Sequence, residues 1–177
     1  MNDDINKVKK LLNSDKVVVA QVAPAVRVSL GEEFGAEPGT EITGKIITAL
    51  KKLGFKYVFD TSFGADIVAL EEACELKERL EMNGPFPMFT SCCIGWKLHA
   101  LKFLPNKIAQ LSTCMAPQIT LGALAKTYFA KLAGVPTDKI AVVSIMPCIS
   151  KKIEANMHAN VGIHEVNIVL TTMEISQ

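Results

Sequence analysis

The chain has 177 residues, 49% of them apolar and 21% charged, with a net charge of +1. That balance describes one globular domain with a real core, and it excludes a dedicated nucleic-acid or membrane surface, because no run of Lys or Arg is long enough for either. The segment MNDDINKVKKLL is charged and amphipathic, with no apolar signal core, and no stretch approaches a membrane span. A cytoplasmic protein without nucleic-acid or membrane partners is expected.

Apolar runs alternate with helical periods along the chain. The strand candidates are VVVAQV (17–22), KYVFD (56–60), PMFT (87–90), IAVVSIM (140–146) and VNIVLTT (166–172). The first and fourth are nearly continuous apolar runs, which suits strands covered on both faces. Thr40 is the expected N-cap of a first helix in which Ile42, Ile46, Leu50 and Leu53 recur at helical spacing and Gly54 acts as the stop. A second helix is expected over Asp66 to Met82, a third from near Gly95, and a fourth from Pro117 to a stop at Gly134. Alternating strands and helices imply an α/β fold of three layers, a mostly parallel sheet with helices on both faces. One such lobe accounts for residues 1–177.

Ala23-Pro24, Thr90-Ser91-Cys92-Cys93 and Pro147-Cys148 all fall at the carboxyl ends of expected strands. In an open α/β sheet those ends form the rim where ligands bind. Cys93 and Cys148 are therefore expected on the same rim.

The five cysteines are Cys74, Cys92, Cys93, Cys114 and Cys148. An odd number with no signal peptide argues against a disulfide framework. TSCCIGW (90–96) puts two adjacent thiols at a strand-to-helix turn, where free N–H groups and the helix dipole favour thiolate over thiol. The residues admit either metal-binding thiolates or buried small hydrophobes there. MPCISKK (146–152) puts a Cys at a strand end with two lysines behind it, either an anion-binding arrangement or a solvated helix start. Cys74 shares an apolar helical arc with Ile67 and Leu70 and reads as packing, as does Cys114. Glu72, Glu75 and Arg79 share one helical face and, on the residues alone, read as solvated. His99, His158 and His164 show no ligand spacing, and there is no phosphate-binding or dinucleotide fingerprint.

TSCCIGW resembles the TSCCPxW signature of iron-only (FeFe) hydrogenases, and MPCISKK resembles their MPCxxKK signature. APAVRVSLGEEFG (23–35), LGFKYVFDTSFGAD (53–66), NGPFPMFTSCC (83–93) and VNIVLTTMEI (166–175) are similar to that family's sequence in the same order. The resemblance implies that Cys93 and Cys148 are two of four cysteines holding a 4Fe–4S cubane bridged to a two-iron subsite. It implies that Cys92 is the thiol that passes protons to that subsite. Glu72, Ser112, Glu75 and Arg79 fall on the family's proton path, Lys151 on the lysine that hydrogen-bonds a cyanide, and Ala23, Pro24, Pro117, Gln118 and Met146 on pocket-lining positions.

Ile94 stands where the family has proline, Ala25 where some members have serine, and Met173 where arginine is frequent. The glycine-rich Cys-x-x-x-Cys segment of the family's second lobe has no counterpart here. The resemblance thus implies an incomplete cofactor site, absent or shared between copies, and an isolated chain that is inactive. It implies a second lobe, partner chain or homo-oligomer across an exposed apolar face, and a ferredoxin-type carrier for the intact enzyme. The alternative is a non-catalytic hydrogenase-like iron–sulfur protein or assembly factor.

Overall fold

The computed structural model describes residues 3–157 and 164–177. After helix α1 (Asp3–Leu12) come strand β1 (Val17–Val22), the short α2 (Val26–Ser29), α3 (Thr43–Leu53), β2 (Tyr57–Asp60) and the long α4 (Thr61–Glu81). The chain continues through α5 (Ile94–Phe103), α6 (Pro117–Leu124), a π turn (Ala125–Phe129) and α7 (Ala130–Ala133). It closes with β3 (Ile140–Met146), α8 (Ser150–Asn156), β4 (Ile168–Thr171) and α9 (Thr172–Ile175).

The four strands form one wholly parallel sheet in the order β2-β1-β3-β4. Every residue of β3, and all of β1 but Val17, is buried, so both faces of the central strands are covered, as their continuous apolar runs require. β1 leads outward to β2 on one side, and β3 adds on the other. The strand order therefore reverses between β1 and β3, and a crevice opens beyond their carboxyl ends. Ala23-Pro24 follows β1 at that point, and Pro147-Cys148 follows β3.

Three expected elements differ. PMFT is not a strand. Phe89 pairs with Leu111 in an isolated parallel bridge, through Phe89 N to the Gln110 carbonyl at 2.8 Å and Ser112 N to the Phe89 carbonyl at 2.7 Å. Pro85 and Pro87 lack the N–H groups that would extend the ladder. Helix α3 starts at Thr43 with Ile42 at the cap position; Thr40 instead donates its hydroxyl to the Glu37 carbonyl, and the Glu41 carboxylate takes the Thr43 N–H at 2.9 Å. Helix α4 starts at Thr61, five residues earlier than its periodicity suggests, because the Asp60 carboxylate caps Ser62 N at 2.9 Å directly after β2.

The two lysines behind Cys148 divide their roles. Lys152 faces the body and clamps Asp4 of α1 (2.6 Å) and Glu174 of α9 (2.7 Å), tying the first helix to the last. Lys151 faces the rim.

α4 packs on α6 at Gly64. A Cβ there would lie 2.5 Å from the Pro117 carbonyl oxygen and 3.0 Å from the Leu121 Cβ. Only glycine lets the start of α6 approach this closely. Gly64→Ala is expected to lower stability by roughly 1–3 kcal/mol, because the clash with backbone outweighs the ~1 kcal/mol helix-propensity gain of alanine. Urea unfolding at neutral pH checks this; a more stable variant would mean that the two helices separate freely.

Candidate active site at the carboxyl rim

Cys93 is the N-cap of α5, its Sγ accepting from Trp96 N at 3.5 Å. Cys148 lies just ahead of α8, and its thiol pKa is held below the ordinary value by the Ser150 hydroxyl first, then by the Ser150 N–H and the Lys151 charge. The two turns meet. A Cβ on Gly95 would lie 3.8 Å from Cys93 Sγ and 3.9 Å from the Ser150 hydroxyl. Lys151 Nζ reaches across to the Cys92 carbonyl at 2.8 Å while pairing with Glu154 at 2.8 Å. Cys92, Cys93 and Cys148 are all exposed. Ala23 and Met146 are buried at the ends of β1 and β3, Pro24 is exposed beside Ala23, and Pro117 opens α6.

Beneath the rim runs a buried polar chain. Gln118 donates to Glu154 at 2.8 Å and to the Lys151 carbonyl at 3.0 Å. The main-chain oxygen of Gln118 accepts from Gln21 on β1 (2.9 Å), which also donates to Ser144 on β3 at 2.7 Å. Glu154 was not singled out from the sequence. Its signal was an acid three residues after Lys151 on one helix, the spacing of a side-chain pair.

A second group forms around Glu75. Ser112 Oγ donates to its carboxylate at 3.0 Å, Thr113 N at 3.0 Å and the Cys114 thiol at 3.7 Å. Arg79, 5% exposed, pairs with the same carboxylate. Its guanidinium also donates to the carbonyls of Leu111 (2.7 Å), Gln110 (3.2 Å), Pro85 (3.3 Å) and Ala109 (3.4 Å). Burial pushes the Glu75 pKa up, but Arg79, the Thr113 N–H and the Ser112 hydroxyl together hold it below the usual carboxylate value. The solvated reading of this helix face is thus wrong for Glu75 and Arg79. Glu72 is half-buried, and among the described residues no hydrogen bond joins it to Cys92 or Ser112.

Two cysteine readings are also corrected. Cys114 is not a packing residue: its thiol meets Glu75, and burial together with the Glu75 and Glu72 charges keeps it protonated, outweighing the Ser112 hydroxyl. Cys74 is exposed, as is its arc neighbour Leu70 at 65%. α4 buries Thr61, Gly64, Val68 and Arg79 instead, leaving the apolar arc outward. A cavity of about 240 Å³ is lined from both polar groups, by Thr113 and Cys114 of one and Glu154 of the other, together with Ser91 and Ile119. His164 offers its carbonyl to Lys126, and His158 lies outside the described residues.

The site is thus a parallel α/β lobe with exposed thiols gathered at its switch point, and the comparisons specify its family. Residues 16–177 match the family model of the iron-only hydrogenase large subunit, C-terminal domain, and the chain belongs to that family. It is 43% identical to iron hydrogenase 1 of Clostridium pasteurianum over 176 residues, covering 98% of this chain and 31% of that protein. It superposes on an apo [FeFe]-hydrogenase from Chlamydomonas reinhardtii with a TM-score of 0.91 at 37% identity, covering 99% of this chain and 47% of that one. It is also 33% identical to cytosolic iron-sulfur assembly component 3 of Rattus norvegicus, covering 96% of this chain and 39% of that protein. The chain thus spans less than half the length of each relative.

Two predictions follow from the geometry. Ser150→Ala is expected to raise the Cys148 pKa and slow its alkylation by iodoacetamide near neutral pH, with Cys74 as internal reference. Peptide mass spectrometry reads the ratio, and an unchanged ratio would mean that Ser150 does not hold the thiolate. Because the Glu75 pKa is lowered on folding, its contribution to stability is complete above the ordinary carboxylate range and is lost as pH falls through the folded-state value. Glu75→Ala is expected to cost roughly 3 kcal/mol at neutral pH by leaving Arg79 buried and unpaired, and to flatten the acid limb of urea midpoints measured against pH.

Proposed function

We propose that this chain supplies part of the catalytic domain of an FeFe hydrogenase, which interconverts protons and dihydrogen using electrons from a ferredoxin-type carrier. Cys93 and Cys148 are the two residues that would hold the 4Fe–4S cubane. Four thiolates are the usual set for such a cluster. These two fit half of it, and among the described residues no group of three or more His, Cys, Asp or Glu is arranged to hold a metal. The remaining ligands must come from another polypeptide segment, whether a second lobe, a partner chain or a second copy. When bound, the cubane and its two-iron subsite supply the electron store and the site of hydrogen chemistry.

This chain's own residues have defined tasks in that reading. Lys151, oriented by Glu154, presents an ammonium at the rim for an anionic ligand group. Ala23, Pro24, Pro117, Gln118 and Met146 enclose the pocket and limit water. Cys92 holds the proton nearest the reacting centre. Glu72 takes it on toward Ser112, Ser112 passes it to Glu75, and Arg79 sets the acidity of Glu75 at the outer end. A thiol and carboxylates suit this work because small changes of environment bring their proton affinities together. A reducing, cytoplasmic setting suits the free thiols.

The observation that carries the proposal is the Ser112–Glu75–Arg79 group, a hydrogen-bonded acid with a buried counter-charge, none of whose members is a proposed cluster ligand. Holding a cluster does not require it, and moving protons does. The similarity to an iron–sulfur assembly component supports the second reading, a non-catalytic iron–sulfur protein.

A chimera in which this chain replaces the matching region of the Clostridium pasteurianum enzyme separates the two. After anaerobic loading with iron, sulfide and a synthetic two-iron subsite, it is expected to evolve dihydrogen from reduced viologen. Cys92→Ala should abolish turnover, and Glu75→Gln should lower it by roughly 10²-fold or more. The 177-residue chain alone is expected to be inactive. A chimera that carries its full iron and sulfide complement yet turns over nothing would favour the assembly-type reading.

A further inference from the structure

The two ends of a parallel sheet are different surfaces. The thiols lie beyond the carboxyl ends of the strands. A separate cavity of about 440 Å³ opens at the amino ends, where Lys16 precedes β1 and Asp138 precedes β3. The length of β3 puts it roughly 20 Å from the thiol rim, at about 3.3 Å per residue. Its volume is that of a small-molecule pocket. Leu11 and Ile140 give it apolar walls, and Lys16, Lys126, Asp138 and His164 give it polar ones.

Lys126 is the unusual member. It is 5% exposed and lies in the π turn Ala125–Phe129, a distortion common at functional positions. Thr137 fixes that turn by donating its hydroxyl to the Lys126 carbonyl at 2.8 Å. The Lys126 side chain donates to the His164 carbonyl, and among the described residues no carboxylate pairs with it. Burial pulls its pKa down to about 8; the Glu165 charge opposes this and the Lys16 charge adds to it. Asp138 and His164 are the other titratable groups on the cavity wall.

A desolvated lysine beside a second cation is an arrangement that makes an amine nucleophilic near neutral pH. A neutral amine has two N–H groups and a lone pair, so it keeps the His164 carbonyl and can still attack. Lys16 stands ready for the other end of a ligand. Its ammonium donates to the Asp138 carbonyl at 2.6 Å, which leaves two N–H groups, and among the described residues it forms no ion pair. We infer that this cavity is a site for a small aldehyde carrying an anionic group, held reversibly as an imine on Lys126 with its anionic group on Lys16. The Lys126 nitrogen adds to the aldehyde carbon, the carbinolamine loses one water, and C=N replaces C=O. No electrons are gained or lost overall. When protonated, the imine keeps one N–H for the His164 carbonyl. A lysine that only tied down that carbonyl would need neither the cavity nor the second cation. The site uses none of the rim residues and requires no cluster.

The test uses the full chain, incubated with glyoxylate and trapped with cyanoborohydride at about pH 7.5, where surface lysines are almost wholly protonated. Peptide mass spectrometry reads the label at each lysine. Lys126 is expected to label at least about tenfold faster than the exposed Lys9, Lys10 and Lys131, because far more of it is neutral. Its rate should level off above about 8 while theirs continues to rise with pH. Propanal, which lacks the anionic group, is the control. Lys16→Gln is expected to lower glyoxylate labelling of Lys126 about fivefold relative to propanal labelling, with circular dichroism verifying that the variant folds. Labelling of Lys126 no faster than that of the surface lysines would overturn the inference, and the unaltered chain alone decides that. An unchanged ratio of glyoxylate to propanal labelling in the Lys16 variant would overturn the anionic part of the assignment.

Discussion

The rim depends on satisfying one buried amide. Gln21 sits at the centre of the sheet with no exposure, beside Ser144, also fully buried. An unmet polar group there would cost several kcal/mol, so the surrounding chain is arranged to meet it. Its donors go to Ser144 and to the main chain of Gln118. That second bond draws the first turn of α6 over the sheet. The side chain of Gln118 then reaches Glu154, Glu154 orients Lys151, and Lys151 holds the Cys92 carbonyl. The sheet interior is thus connected, bond by bond, to both cysteine turns.

Close backbone approach makes this arrangement reachable. Gly64 lets α4 lie against the start of α6, which fixes the face that α4 turns inward. The same α4 carries Glu75 and Arg79. Arg79 then collects four carbonyls from the loops around Phe89 and Leu111, segments with only one isolated bridge of regular structure between them. A buried guanidinium here does the work a strand ladder does elsewhere: it pairs several carbonyls at once and gives irregular backbone a single conformation. The acid group and the thiol rim are joined through Ser91, whose hydroxyl donates to the Ser112 carbonyl at 2.8 Å and the Cys114 carbonyl at 3.2 Å, and both contribute to the wall of a small cavity.

The apolar stripe left outward on α4, with Phe63 at 55%, Leu70 at 65% and Leu80 at 61% exposure, is of a different kind from the α5 surface. α4 carries Asp66, Glu71, Glu72, Glu75, Glu78 and Glu81, whereas α5 has no acid at all. The two consecutive helices thus differ in charge, and surfaces of different charge discriminate between partners.

The residues alone determined the central strands and the place of Cys148 at their carboxyl rim, whereas Cys92 and Cys93 reach that rim without the strand expected ahead of them. Continuous apolar runs at 17–22 and 140–146 have only one stable use in a chain of this composition, as central parallel strands, and motifs at their carboxyl ends must share a rim. Helix stops at Gly54 and Gly134 were equally local, since both adopt the left-handed conformation that glycine favours. No strand forms at Pro87, because Pro85 and Pro87 lack the N–H groups a ladder needs. The roles of Glu154, Cys114 and Cys74 were decided only in three dimensions. Whether an acid pairs, a thiol donates or an apolar arc faces outward depends on groups tens of residues away in the chain, as Cys114 and Glu75 are, and on which face a helix turns to its neighbours. Local periodicity gives the existence of a face, but long-range packing chooses its direction.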